Sequence, residues 1–179
     1  MKVTLWMAVS LNAMAARPNQ SEDFLSDNDW ELFVELLDAS ESLVWGRVTH
    51  ELFIEPVRKL FPELPIAVLT GDRAFEATDG IVSVASAAQA VAELSARGLT
   101  TAVLAGGPHV NGAFAHAGLI DEVILAGEPV LVASGLPLLI GDAPDLRLDL
   151  LDIDDRRRPT LRLHYRVQRP GDTRLQSRG

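Results

Sequence analysis

The chain has 179 residues, 47% apolar and 23% charged, with no cysteine. One domain with a core that needs no metal or disulfide is expected at this length, and the missing cysteines exclude thiol catalysis and cysteine-based zinc sites. Charge is split: residues 1–155 hold 8 Lys and Arg against 24 Asp and Glu, net −16, whereas residues 156–179 hold 8 Arg against Asp172, net +7. So acidic a body lacks the electrostatic footprint of a nucleic-acid binder, and the basic end reads as a solvated tail. No apolar run reaches the ~18–20 residues of a membrane helix. The opening MKVTLWMAVSLNAMAA superficially resembles a signal peptide, but Ser10 and Asn12 interrupt it and its alternation suits a buried strand. A soluble, cytoplasmic protein is expected.

Lys2–Ser10 is β-branched and apolar and reads as a first, buried strand. Leu11–Phe24 is a long polar loop, the kind that is often functional. Trp30, Phe33, Val34 and Leu37 then fall on one face of a helix whose start, Ser26-Asp27-Asn28-Asp29, is rich in capping residues. Ser42–Trp45 predicts a strand and Thr49–Glu55 one or two helical turns. Pro65–Thr70 predicts a strand, Ile81–Ala85 a short one, and Ala87–Arg97 a helix closed by Gly98. Thr101–Ala105 is a strand, Gly106-Gly107-Pro108 a turn, Val110–Ala117 a helix and Glu122–Ala126 a strand. Alternation of this kind implies βαβ units around a mainly parallel sheet. After residue 128 the pattern changes. Arg147–Ile153 and Thr160–Gln168 alternate apolar and polar residues, as a half-exposed antiparallel hairpin at a sheet edge does.

Chemistry can sit where strands end. In LAGGPHVNG (residues 104–112), glycines between a strand and a helix either cradle an anion at the helix N-terminus or simply make a tight turn. Trp45-Gly46-Arg47-Val48-Thr49 ends another strand with a glycine followed by an arginine and a threonine, and Thr70-Gly71-Asp72-Arg73 ends a third. Ligands of open α/β sheets bind at such strand ends. Asp27 either relays a proton or only caps its helix, and Asp29 reads as structural. The four histidines have no metal spacing, so no metal site is expected. Trp6, Trp30 and Trp45 read as core.

MAVSLNAMAA, SDNDWELF, SLVWGRVTHELF, PIAVLTGDR, LAGGPHVNGAFAHAGLIDEVILAGEPVL and GLPLLIGD together resemble the dihydrofolate-reductase-like superfamily. The nearest resemblance is to the reductase domain of riboflavin biosynthesis, and it runs over residues 2–168. It implies an α/β three-layer sandwich, with a mostly parallel central sheet and an antiparallel C-terminal hairpin. It also implies NADPH as hydride donor and a homodimer. By that resemblance Gly46, Arg47 and Thr49 flank the adenosine side of the cofactor, and Thr70 and Arg73 lie near the 2′-phosphate. Gly106, Gly107, His109, Val110 and Asn111 cradle the pyrophosphate, while Ala8 and Ser10 line the nicotinamide. Two acids usual in riboflavin reductases are replaced, by Asn12 and by Ala105. Asp27, three residues before Trp30, matches the carboxylate spacing of dihydrofolate reductases, but their supporting threonine falls near Ala126. The expectation is therefore an NADPH-dependent reductase of a small heterocyclic or carbonyl compound, residues 1–168, with a basic tail at 169–179 and Asp27 as proton donor. The alternative is a nucleotide-binding module of the same fold without catalysis.

Overall fold

The computed structural model describes residues 1–169 except 73, 76 and 79. The expected residue Arg73 and residues 170–179 of the basic tail thus lie outside the described residues. The elements in chain order are β1 (Lys2–Ser10), β2 (Met14–Ala16), α1 (Asp27–Asp38), β3 (Leu43–Gly46), α2 (Arg47–Leu60), β4 (Ile66–Leu69) and β5 (Ile81–Val84). They continue with α3 (Ala87–Ala96), β6 (Thr101–Leu104), α4 (Pro108–His116), β7 (Glu122–Glu128), β8 (Leu136–Pro137), β9 (Leu148–Asp154) and β10 (Leu161–Val167).

Eight strands form one sheet in the order β5-β4-β3-β6-β1-β7-β10-β9, and β2 pairs with β8 separately. The pairings from β5 through β7 are parallel, and only β10 runs against its neighbours. Period-two alternation sends the two faces of each central strand into different cores. Val3 and Leu5 of β1 and Ala102 and Leu104 of β6 pack with Ala90, Leu94 and Phe114 of α3 and α4. Trp6, Ala8 and Val103 pack on the other face with Leu32, Phe33, Leu37 and Val57 of α1 and α2. Helices on both faces of a sheet make the three-layer α/β sandwich that was expected.

Two local expectations are revised. The long loop after β1 contains β2, and the helix expected over Thr49–Glu55 runs from Arg47 to Leu60 with Pro56 inside it. A mid-helix proline forgoes one backbone bond to the residue four back. Here that residue is Leu52, which is exposed, so water can satisfy its carbonyl. The C-terminal hairpin forms as expected, with its polar face crossed by Arg162–Asp152 and Arg166–Asp149 pairs, each 3.0 Å. Its outer strand, β9, leaves Leu150 52% and Ile153 54% exposed at the sheet edge. Among the described residues no helix is long and apolar enough to cross a membrane.

Candidate functional site

In the sheet order β3 and β1 flank β6, so the chain leaves β1, builds outward through β3 to β5, and returns between them. Such a reversal opens a crevice at the carboxyl ends of the strands. A cavity of about 110 Å³ lies there, lined by Met7 and Ala8 of β1, Trp45 of β3, Thr49 and Phe53 of α2, and Ala105, Gly107 and Pro108. The loop after β2 and helix α1 close it with Glu22, Leu25, Asp29, Trp30 and Phe33.

One side of this crevice is made of backbone. Gly46 is the N-cap of α2 and Gly107 the N-cap of α4, and neither helix has a side-chain cap. The two turns are tied together by the Gly46 N–H, which donates to the Gly106 carbonyl at 2.8 Å. Gly106 carries the positive φ of the turn, +77°, where an L side chain is strained, and its peptide bond to Gly107 is cis. A Cβ on Gly46 would stand 2.9 Å from Val110, so the turns meet closely. On Gly107 a Cβ would meet nothing nearer than the Thr49 hydroxyl at 3.7 Å, an ordinary van der Waals contact at the wall of the cavity. Two uncapped helix N-termini at one cleft suit an anion with two phosphates. The residues present therefore fit a dinucleotide.

The other side is made of side chains. Among the described residues that line the cavity, no Lys, Arg or His contributes; the charged residues are Glu22 and Asp29, set among Trp6, Trp30, Phe33 and Phe53. Burial, and then the charge of Asp29, push the Glu22 carboxyl up to about 7. Burial, and then the charge of Glu128, push Asp29 up to about 6, against hydrogen bonds from backbone N–H groups. Both acids can thus carry a proton near neutrality.

The start of α1 is anchored from below. Glu128 is 2% exposed, and its carboxylate accepts from the hydroxyls of Ser26 and Thr160, each at 2.9 Å. This draws the Ser26 hydroxyl away from the helix it caps. Asn28 reaches the carbonyl of Arg157 at 3.1 Å, fastening the same turn to the C-terminal hairpin.

The expected site residues divide. Ala8, Thr49 and Gly107 line the cavity, and Gly46 and Gly106 shape its floor through their hydrogen bond. Arg47 stands at the N-terminus of α2, paired with Glu51 at 2.5 Å. Thr70, just past β4, spends its hydroxyl on the N–H of Asp72, and His109 lines a separate groove with Ser86 and His116. Val110 and Asn111 are buried, and Asn111 donates to the Leu138 carbonyl at 3.0 Å. Ser10 is buried too; it donates to Asn12 and accepts from the Met14 N–H.

Asp27, expected as the proton donor, stands apart from the cavity. It is exposed at the first position of α1 and does not line the cavity, whereas Asp29 does. The reason is helical geometry: Asp29 lies three and four residues before the buried Leu32 and Phe33, so it shares their face, and Asp27 does not. That spacing was available in the sequence. Glu22 had no such signal, since it arrives from an irregular loop. The tryptophans read as core serve both ends: Trp6 and Trp45 are buried and also line the cavity.

The strand-end crevice thus joins two glycine-capped helix ends to an acid-bearing aromatic pocket on an α/β sheet. The chain belongs to the RibD C-terminal domain family, whose model matches residues 58–158. It is 29% identical over 146 residues to the uncharacterized protein YwjB of Bacillus subtilis, covering 76% of this chain and 82% of that one. Among solved structures, a Shewanella sp. PV-4 protein described as a riboflavin biosynthesis protein superposes with a TM-score of 0.76 at 22% identity, over 94% of this chain and all of that one. A pyrimidine reductase-like protein of Corynebacterium diphtheriae gives 0.75 at 16%, over 94% and 92%. A Thermotoga maritima diaminohydroxyphosphoribosylaminopyrimidine deaminase/5-amino-6-(5-phosphoribosylamino)uracil reductase gives 0.73 at 15%, with this chain covering 56% of its length. Family membership supports a reductase-type role.

Proposed function

We propose that the protein is an NADPH-dependent reductase that transfers a hydride to a small heterocyclic or carbonyl substrate, with Asp29 rather than Asp27 as the proton source. The observation that carries this reading is the junction of the two uncapped helix N-termini with the acid-lined cavity at the ends of β1, β3 and β6. Thr49, Gly106 and Gly107 would hold the cofactor's phosphates by backbone and hydroxyl donors, with Gly46 tying the two turns together and Arg47 beside them. A reduced nicotinamide, when bound, supplies the hydride. The aromatic walls orient the substrate and exclude water, and Asp29 holds a proton for the atom next to the one reduced. A carboxyl raised to about 6 is close enough to neutrality both to hold that proton and to give it up.

The reading without catalysis rested partly on Asn12, where riboflavin reductases carry an acid. Asn12 instead bridges the backbone of Val132, donating to its carbonyl at 2.8 Å and accepting from its N–H at 3.0 Å. That is a structural duty which says nothing about lost activity. The chain is further proposed to act as a homodimer, since the exposed apolar edge at Leu150 and Ile153 is a liability unless covered. Sedimentation at micromolar concentration checks this, and a mass near 19.4 kDa refutes it.

The deciding experiment is NADPH consumption with carbonyl and heterocyclic substrates, alongside NADPH binding followed by tryptophan fluorescence. Binding with turnover is expected. Binding without turnover of any substrate favours the module without catalysis, and no binding removes both.

A further inference from the structure

Resting on the reading of Asp29 as the proton source, we infer that Glu128, which does not line the cavity, is a positioning residue of the site: from the end of β7 it pins the turn that starts α1 and presents a buried negative charge to Asp29. A carboxylate that is 2% exposed is costly unless its oxygens are served. Glu128 has no ion-pair partner among the described residues and is served by two hydroxyls instead. Both converge on its Oε1, and the two hydroxyl oxygens lie 3.0 Å from each other.

Three elements meet at this carboxylate. Ser26 is the N-cap residue of α1, Thr160 lies between β9 and β10 and is 1% exposed, and Ser10 of β1 stands opposite Glu128 in the parallel register. Asp29 is three residues past Ser26, and its N–H donates to the Ser26 carbonyl at 3.2 Å. Holding Ser26 therefore holds the turn that carries Asp29. Two hydroxyl donors need only an acceptor, which glutamine would supply equally well; what glutamate adds is charge.

The charged groups around Asp29 are few. Glu22 shares the cavity from the loop before α1, Asp27 stands on the same turn, and Glu128 comes from the sheet. The cations on the neighbouring elements are engaged by other acids: Arg17 by Asp23, Arg47 by Glu51, Arg157 by Glu31 and Glu35, and Arg156 and Arg162 by Asp154. Glu22 gives up its proton only at about 7, so it is mostly uncharged while Asp29 titrates at about 6. Asp27 is exposed, and water and salt screen it. Glu128 is left as the principal charge that holds the proton on Asp29, second only to burial itself. Between buried groups such repulsion is poorly screened.

The test is a pH titration of the full chain with carbon-13 in its aspartate carboxyls, followed by NMR, the Asp29 signal being the one that Asp29→Asn removes. Glu128→Gln keeps an acceptor for both hydroxyls and removes the charge. Glu128→Leu removes both, leaving Ser26 and Thr160 to bond each other. Two such variants are used so that one remains should the other fail to fold. In either, the Asp29 midpoint should fall by at least about half a pH unit, as on losing one poorly screened like charge. Ser26→Ala breaks the pin but keeps the charge, so it should lower the melting temperature and leave the midpoint where it is. Asp27→Asn should move the midpoint less than Glu128→Gln does. The inference is overturned if the Glu128 variants leave the midpoint in place, or if Ser26→Ala or Asp27→Asn moves it as far. NADPH consumption by the parent with carbonyl and heterocyclic substrates separates the two readings. Turnover without the shift overturns this inference alone. The shift without turnover supports the role of Glu128 and overturns the reductase reading.

Discussion

The two sides of the crevice are built from different materials. The side formed by the β3–α2 and β6–α4 turns presents backbone: two glycine N-caps, a positive φ at Gly106, and helix ends without side-chain caps. The side formed by the loop before α1 and by α1 itself presents two carboxyls among aromatic rings. Backbone donors at a helix end stay the same whatever side chains surround them, so that side suits a ligand shared by many proteins. Carboxyls whose acidity depends on burial are set residue by residue, so that side is where specificity can change.

The contrast is tested most severely by moving the acid. Asp29→Asn should lower the turnover of any accepted substrate by ~10²–10⁴-fold, the usual worth of acid–base assistance. Asp27→Asn, two residues away and exposed, should leave the rate within about twofold of the parent, well inside that range. Steady-state rates for the two variants check this, and equal losses would return the proton to an unspecific helix-end effect.

Next in size is the backbone side. Gly107→Val should weaken NADPH binding about a hundredfold, roughly the loss of one or two charge-assisted bonds, by filling the space beside Thr49. Its melting temperature should stay near the parent's, because φ at Gly107 is −68°, which valine tolerates. Gly106→Val should instead lower the melting temperature. Its φ is +77° and its Cβ would lie 2.9 Å from the Met7 sulfur. The positive φ of the turn thus belongs to Gly106 and not to Gly107. Fluorescence titration and thermal melts together separate the two glycines.

A smaller effect concerns the choice of cofactor. NADPH should bind about tenfold more tightly than NADH, and Arg47→Ala should erase part of that preference, as expected for one charge-assisted contact to a 2′-phosphate. Equal affinities for the two cofactors in the parent would remove Arg47 from the site.

The smallest effect is on stability. Glu22 and Asp29 are raised to about 7 and about 6 in the fold, so the folded chain keeps protons that the unfolded chain releases. Stability from this source is full below the ordinary values of 3.8 and 4.5 and is lost as pH rises through about 6 to 7. The melting temperature should fall by a few degrees across that window, at roughly 2–4 °C per kcal/mol for a chain of this size. The double variant Glu22→Gln/Asp29→Asn should lose that slope.

The sequence by itself determined the strand-and-helix alternation, the glycine-marked strand ends and the edge hairpin, because each follows from local periodicity or from a residue's own backbone freedom. Gly46, Gly106 and Gly107 were legible as turns for that reason. The spacing placed Asp29 on the face of Leu32 and Phe33, and only the tertiary structure decided that this face closes the cavity. Asp27 and Asp29 are equivalent as composition, and their fates diverge once α1 docks Leu32 and Phe33 against the sheet and rotates Asp29 inward with them. It also decided that Asn111 donates to the Leu138 carbonyl and that Asn12 holds Val132. Glu22 was beyond reach of the sequence altogether. Its acidity comes from burial and from Asp29, and burial is created by segments distant in the chain that meet only when the fold closes.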